Sequence, residues 1–138
     1  MSVEDNKTVV SRFINLVTET RVDEAFDLLA PDFIWQTYGN LPFSGRHSKK
    51  VVRTFFDGLL DAFDKPSQWI VDTMIGEGDT VAVEAHTVGD TRNGFKYRNF
   101  YHMACILRNG LIVEIREYMD TQHAEALVRS MQESAGPA

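Results

Sequence analysis

The chain has 138 residues, 43% hydrophobic and 11% aromatic, enough apolar material for one domain with a real core. A net charge of −6, with no basic run richer than Arg46-His47-Ser48-Lys49-Lys50, excludes a phosphate-binding face and so excludes nucleic acid as a partner. The single cysteine, Cys105, excludes a disulfide framework or a cysteine-based zinc site, and no apolar run approaches the ~20 residues of a membrane span.

Residues 1–138 read as one domain without repeats or low-complexity segments. The start, Met1-Ser2-Val3-Glu4-Asp5, has neither the basic nor the apolar stretch of a signal peptide, so a cytoplasmic location is expected. Val9, Val10, Phe13, Ile14, Leu16 and Val17 recur at helical spacing and predict a helix over about residues 5–20. Asp23 caps a short second helix carrying Ala25, Phe26, Leu28 and Leu29, which Pro31 stops. Residues 33–36 form a short strand and residues 38–45 a turn-rich loop. A third helix follows over about residues 48–63, with Val51, Val52, Phe55, Phe56, Leu59, Leu60 and Phe63 on its apolar face.

After Pro66 the apolar period changes from helical to two, giving strands over about 69–75, 80–88, 95–107 and 111–119. Asn109-Gly110 between the last two is a hairpin signal, because both central residues of a tight turn must tolerate positive φ. Residues 121–132 form a last helix, and residues 134–138 a frayed tail. Helices followed by an antiparallel meander mean α+β, and a strongly bent sheet wrapped on helices makes a cone with an open mouth, a favoured ligand site.

Strict alternation along the last strand puts Leu111, Val113, Ile115, Glu117 and Met119 on one face and Ile112, Glu114, Arg116, Tyr118 and Asp120 on the other. Glu117 therefore sits on an otherwise apolar face, where a carboxyl must be paired, solvated by a cavity or shifted in pKa.

Several local motifs strengthen this outline. They are Val9-Val10-Ser11-Arg12-Phe13, Leu28-Leu29-Ala30-Pro31-Asp32-Phe33, Pro42-Phe43-Ser44-Gly45, Asn109-Gly110-Leu111-Ile112 and Arg116-Glu117-Tyr118-Met119-Asp120-Thr121. In this order they resemble the nuclear-transport-factor-2-like superfamily, over about residues 5–130. That group includes ketosteroid isomerase, limonene epoxide hydrolase, scytalone dehydratase and the SnoaL-like polyketide cyclases. The resemblance implies a cone-shaped α+β barrel, with three N-terminal helices packed on a strongly bent, mainly antiparallel sheet and a short C-terminal helix. It also implies a homodimer working without cofactor or metal.

Position by position, the better-known activities fit poorly. Phe13 stands where ketosteroid isomerase has its oxyanion-hole tyrosine, and Gln36 and Thr37 where it has its general base; Asn99, Tyr101 and His102 occupy the matching strand region. The limonene epoxide hydrolase triad falls on Glu84, His86 and Glu117, and its water-holding pair near Trp35 and Thr37. The arginine and one aspartate of that triad are thus replaced.

The resemblance gathers Glu84, His86, Asn99, Tyr101 and Glu117 as candidate catalytic residues in the cone, with Trp35, Thr37, Leu59, Phe63, Val88 and Met119 lining the substrate side. A histidine beside a carboxylate in a low-dielectric pocket can exchange a proton near neutral pH, while Tyr101 and Asn99 can donate to an oxygen that becomes negative. Such a set suits isomerisation, cyclisation or dehydration of a small apolar oxygenated molecule. The alternatives are an epoxide hydrolase with an altered triad, a binding or dimerisation module without turnover, and a purely structural Glu84–His86 pair. His47 and His123 read as surface residues. Phe100, His102, Ile112 and Tyr118 lie on the sheet's outer face, where a second copy is expected.

Overall fold

The structure is a computed structural model that describes residues 1–135. Helix α1 (Val3–Thr18) opens on a capping box: Ser2 Oγ accepts from the Asp5 N–H at 3.0 Å, and Asp5 Oδ2 accepts from the Ser2 N–H at 3.2 Å. Its buried stripe, Val10, Phe13, Ile14 and Leu16, packs on the sheet. The short α2 (Val22–Phe26) leads into β1 (Leu29–Thr37), which hairpins with β2 (Gly45–Ser48). The Ser48 hydroxyl caps α3 (Lys49–Ala62) by accepting from the Val51 N–H at 3.4 Å. Then come β3 (Gln68–Glu77), β4 (Thr80–Asp90), the two-residue β5 (Lys96–Tyr97), β6 (Phe100–Arg108), β7 (Leu111–Met119) and α4 (Thr121–Ala135).

The seven strands form one sheet in the order β2-β1-β7-β6-β4-β3, with β5 attached to β4. All pairings are antiparallel except β1 with β7, which is parallel. The α+β class is as expected. The sheet curls over the helices, but its edge strands β2 and β3 do not pair with each other, so the barrel of the expectation is an open cone. No described helix is long and apolar enough to cross a membrane.

The strand boundaries depart from the sequence reading in three places. β1 starts four residues early and carries Pro31 inside it; β2 pairs only with Ile34–Thr37, so the missing proline N–H falls where β1 has no partner on that side. β2 itself lies in a stretch read as loop and helix start. The single strand expected over 95–107 is broken at Arg98-Asn99 into β5 and β6. In the C-terminal helix Ser134 and Ala135 are still helical, and the last three residues of the expected tail lie outside the described residues.

Two facing errors matter more. On β4 the row turned to the helices is Val81, Val83, Ala85 and Thr87; Glu84, His86 and Val88 lie on the outer row. Hydrophobic transfer decides this. Burying two valines is worth about 1.5–3 kcal/mol each, whereas burying Glu84 and His86 without partners would cost several. On β7 the ladder slips by one residue: Ile106 pairs with Glu114 but Leu107 with Ile112, leaving Val113 as the extra residue of a bulge. Ile112 is thereby turned inward and completely buried, instead of lying on the outer face. At the hairpin before it, Asn109 (φ 53°) and Gly110 (φ 80°) adopt the left-handed pair that the turn requires.

Candidate active site

Inside the cone lies a cavity of about 250 Å³, roofed by α3 and closed on one side by α4. α3 buries only Val52 in the core, because much of its apolar face looks into this hollow; Val51 and Phe55 remain partly exposed near its rim. α4 contributes Ala124, Leu127 and Val128. Asp120 starts that helix: its Oδ1 accepts from the Gln122 and His123 N–H groups at 3.1 and 3.3 Å.

Of the residues expected on the substrate side, Trp35, Thr37, Leu59, Phe63 and Met119 line the cavity, and Val88 does not. Of the candidate catalytic residues, Glu117 and Tyr101 line it. Asn99 is completely buried just behind it, bonded to the hydroxyl of Tyr97, which is on the lining. Glu84 and His86 stand on the opposite face of the sheet. There His86 Nδ1 lies 2.8 Å from Oδ2 of Asp72, the extra residue of a bulge in β3. A proton relay from His86 to Glu117 would have to pass through the sheet, and the three-residue epoxide hydrolase set is not assembled.

Glu117 is placed by the sheet centre. Its strand is flanked by β1 and β6, with Thr37 and Met103 as its ladder neighbours. Only 7% of it is exposed, and Thr37 Oγ1 donates to its Oε1 at a long 3.4 Å. Burial pushes the carboxyl from its ordinary 4.5 up to about 7, opposed by the Trp35 indole N–H and the Thr37 hydroxyl. Among the described residues on the lining, Glu117 is the single carboxyl and no lysine or arginine accompanies it. A carboxyl held near neutrality with no fixed counter-charge can both accept and return a proton.

The second polar centre is Tyr97 with Tyr101, joined through their hydroxyls. Burial raises both phenols, Tyr101 well above its ordinary value, so both keep their protons. Sequence reasoning missed Tyr97, although alternation along the expected strand puts it on the same face as Asn99 and Tyr101. It also missed the inward Thr87 and two histidines. His47 lines the mouth with Nε2 2.6 Å from the Phe43 carbonyl, and His123 stacks on Tyr97 with ring centres 5.2 Å apart. Aromatic neighbours at helical spacing were the one available signal for the walls. Cys105 is buried in the core and off the cavity lining, with its thiol pushed up to about 12 by burial, which makes it a poor nucleophile. No cluster of three or more potential metal ligands occurs among the described residues.

Several known proteins share this scaffold. An NTF2-like protein from Burkholderia xenovorans superposes with a TM-score of 0.73 at 20% identity, over 94% of this chain and 98% of that one. AclR from Streptomyces galilaeus, described as a putative hydroxylase, gives 0.78 at 16% identity over 95% and 98%. A putative SnoaL-like polyketide cyclase from Jannaschia sp. gives 0.75 at 16% identity over 98% and 94%. At such identities the likeness concerns the fold alone. No curated protein matches the sequence itself. The family model for the SnoaL-like domain matches residues 10–115, more than half of the chain. With that match the chain belongs to the SnoaL-like domain family, and it shares its fold with nuclear-transport-factor-2-like proteins.

Proposed function

We propose that the protein is a cofactor-independent acid–base enzyme acting on a neutral, largely apolar oxygenated molecule, by isomerisation, cyclisation or dehydration. The observation that carries this reading is Glu117: a buried carboxyl without a cationic partner, held near pH 7 on the wall of an aromatic-lined cavity. In its ionised form it takes a proton from a carbon or hydroxyl of the bound substrate; in its neutral form it returns that proton elsewhere on the same molecule. The Tyr97–Tyr101 pair receives the oxygen on which negative charge develops. The walls exclude water and so keep the proton on the path between substrate and Glu117. His86 and Glu84 have no part in this chemistry. The family and the putative cyclase from Jannaschia are consistent with it.

Proton exchange at an enolisable ketone tests the reading without knowledge of the natural substrate. In deuterium oxide the protein is expected to speed loss of the α-protons of 2-tetralone, followed by proton NMR, with a rate rising through about pH 7 to a plateau. Glu117→Gln should lower that rate by about 10²–10⁴, the usual worth of a positioned base, and His86→Ala should leave it unchanged. Exchange that survives Glu117→Gln in full would defeat the proposal. It would favour the remaining reading, a module that binds an apolar ligand without turnover.

A further inference from the structure

The tyrosine pair has a property that follows from counting hydrogens. Asn99 lies between Tyr97 and Tyr101 in sequence and is completely buried. Two neighbours of fixed character settle the orientation of its amide. The Phe100 main-chain N–H can only donate, and it donates to Asn99 Oδ1 at 2.7 Å. The Asp120 main-chain carbonyl can only accept, and it accepts from Asn99 Nδ2 at 3.2 Å. The other Nδ2 hydrogen therefore goes to Tyr97 Oη, at 2.7 Å. Both amide hydrogens are committed inside the protein, so Asn99 has none left for a ligand.

Tyr97 and Tyr101 bring two hydroxyl hydrogens, and only one of these can lie between the two oxygens. Asn99 meets them as a donor and offers no acceptor. Among the described residues neither hydroxyl hydrogen has another acceptor. One O–H is thus left over, on a cavity that both rings line. A hydroxyl hydrogen with no acceptor from the protein is a ready donor to a ligand oxygen in that cavity.

We infer that the cavity selects ligands that present a hydrogen-bond-accepting oxygen, a carbonyl or the enolate formed from it, to this surplus hydroxyl hydrogen, and that Asn99 is the positioning residue that keeps the hydrogen surplus. The inference rests on reading this cavity as the active site and names the substrate group that anchors there. Asn99 acts through Tyr97: an amide donor forces the tyrosine pair to turn its spare hydrogen outward. A carboxylate in its place would accept instead and absorb that hydrogen. The link from Asn99 to Asp120, whose side chain caps α4, also ties the donor to the helix that closes the cavity.

The test compares 2-acetonaphthone with 2-isopropylnaphthalene, a near-isosteric hydrocarbon, by equilibrium binding and by infrared spectroscopy of the bound ketone. The parent protein should bind the ketone at least about tenfold more tightly, the worth of one good hydrogen bond, and lower its C=O stretch relative to the ketone in hexane. Each single variant, Tyr97→Phe or Tyr101→Phe, still holds one free hydroxyl and should keep a lowered stretch. The double variant and Asn99→Asp should both lose the preference and the shift while still binding the hydrocarbon. A shift that persists in the double variant, or in a folded Asn99→Asp protein, would overturn the inference. If the buried carboxylate prevents folding, the double variant makes the same test without touching Asn99. Neither readout needs turnover, so they stand or fall separately from proton exchange at Glu117.

Discussion

Glu117 carries two consequences that can be separated. Its chemistry needs a carboxyl that titrates near neutrality; its effect on stability follows from the same raised pKa by linkage. The folded state holds the proton more tightly than the unfolded chain, because burial raises the carboxyl from 4.5 to about 7. The stabilisation from that tighter hold is complete below about pH 4.5 and lost as the pH rises through about 7. Above that the fold must carry a buried anion, at a cost on the order of 3 kcal/mol, since each tenfold change in proton affinity is worth about 1.4 kcal/mol. Glu117→Gln should therefore gain about 3 kcal/mol on the parent protein between pH 4 and pH 8.5, measured by urea unfolding at both values. An equal difference at the two pH values would mean that the carboxyl is solvated. Burial raises both phenols above their ordinary value, so neither tyrosine ionises in that range and neither contributes to the difference.

At the scale of elements, the cavity lies between the sheet and α3, which lines it with Val51, Val52, Phe55, Phe56, Leu59 and Leu60. Its C-terminal end is pinned by a close approach: a Cβ on Gly89 of β4 would come within 2.6 Å of Phe63 Cε1 and 2.7 Å of Ser67 Cβ. Phe63 lines the cavity, so this contact fixes one wall. Gly89→Ala should destabilise the fold by about 1–3 kcal/mol, the usual range for overpacking, seen as a lower urea midpoint with unchanged slope. An unchanged midpoint would show that Phe63 has room to move. The elements also show where sequence reading succeeds. α1, α3, α4 and the Asn109-Gly110 hairpin are legible because apolar spacing, caps and turn chemistry all agree there. The inward placing of Glu117 is legible from period two alone. The β4 face is misread when family likeness outranks the valines: Val81 and Val83 alternate with Ala85 and Thr87, and that row is the apolar one. The bulge at Val113 has no signature in period-two alternation, so the inward turn of Ile112 is unreadable, whereas Tyr97 is in phase with Asn99 and Tyr101 and is legible from alternation.

Across the whole molecule, the sheet divides two environments. Its concave side holds the cavity, and its convex side carries Phe100 at 69% exposure, Ile75 at 63% and Tyr118 at 50%. Tyr38 stacks on Tyr118 with ring centres 4.5 Å apart. We propose, as the family resemblance implies, that a second copy covers this face. Sedimentation velocity should find a dimer in the parent protein, shifted toward monomer by Phe100→Glu; a monomer at high protein concentration would contradict it. His86 and Asp72 lie on that same convex side, away from the cavity lining.

The proposed proton transfer depends most on how Glu117 titrates in the native protein. Carbon-13 NMR of side-chain carboxyl-labelled protein, with Glu117→Gln to assign the resonance, measures it directly. A midpoint at about 7 is the expected result, and a midpoint near the ordinary 4.5 would contradict the assignment of Glu117 as the base.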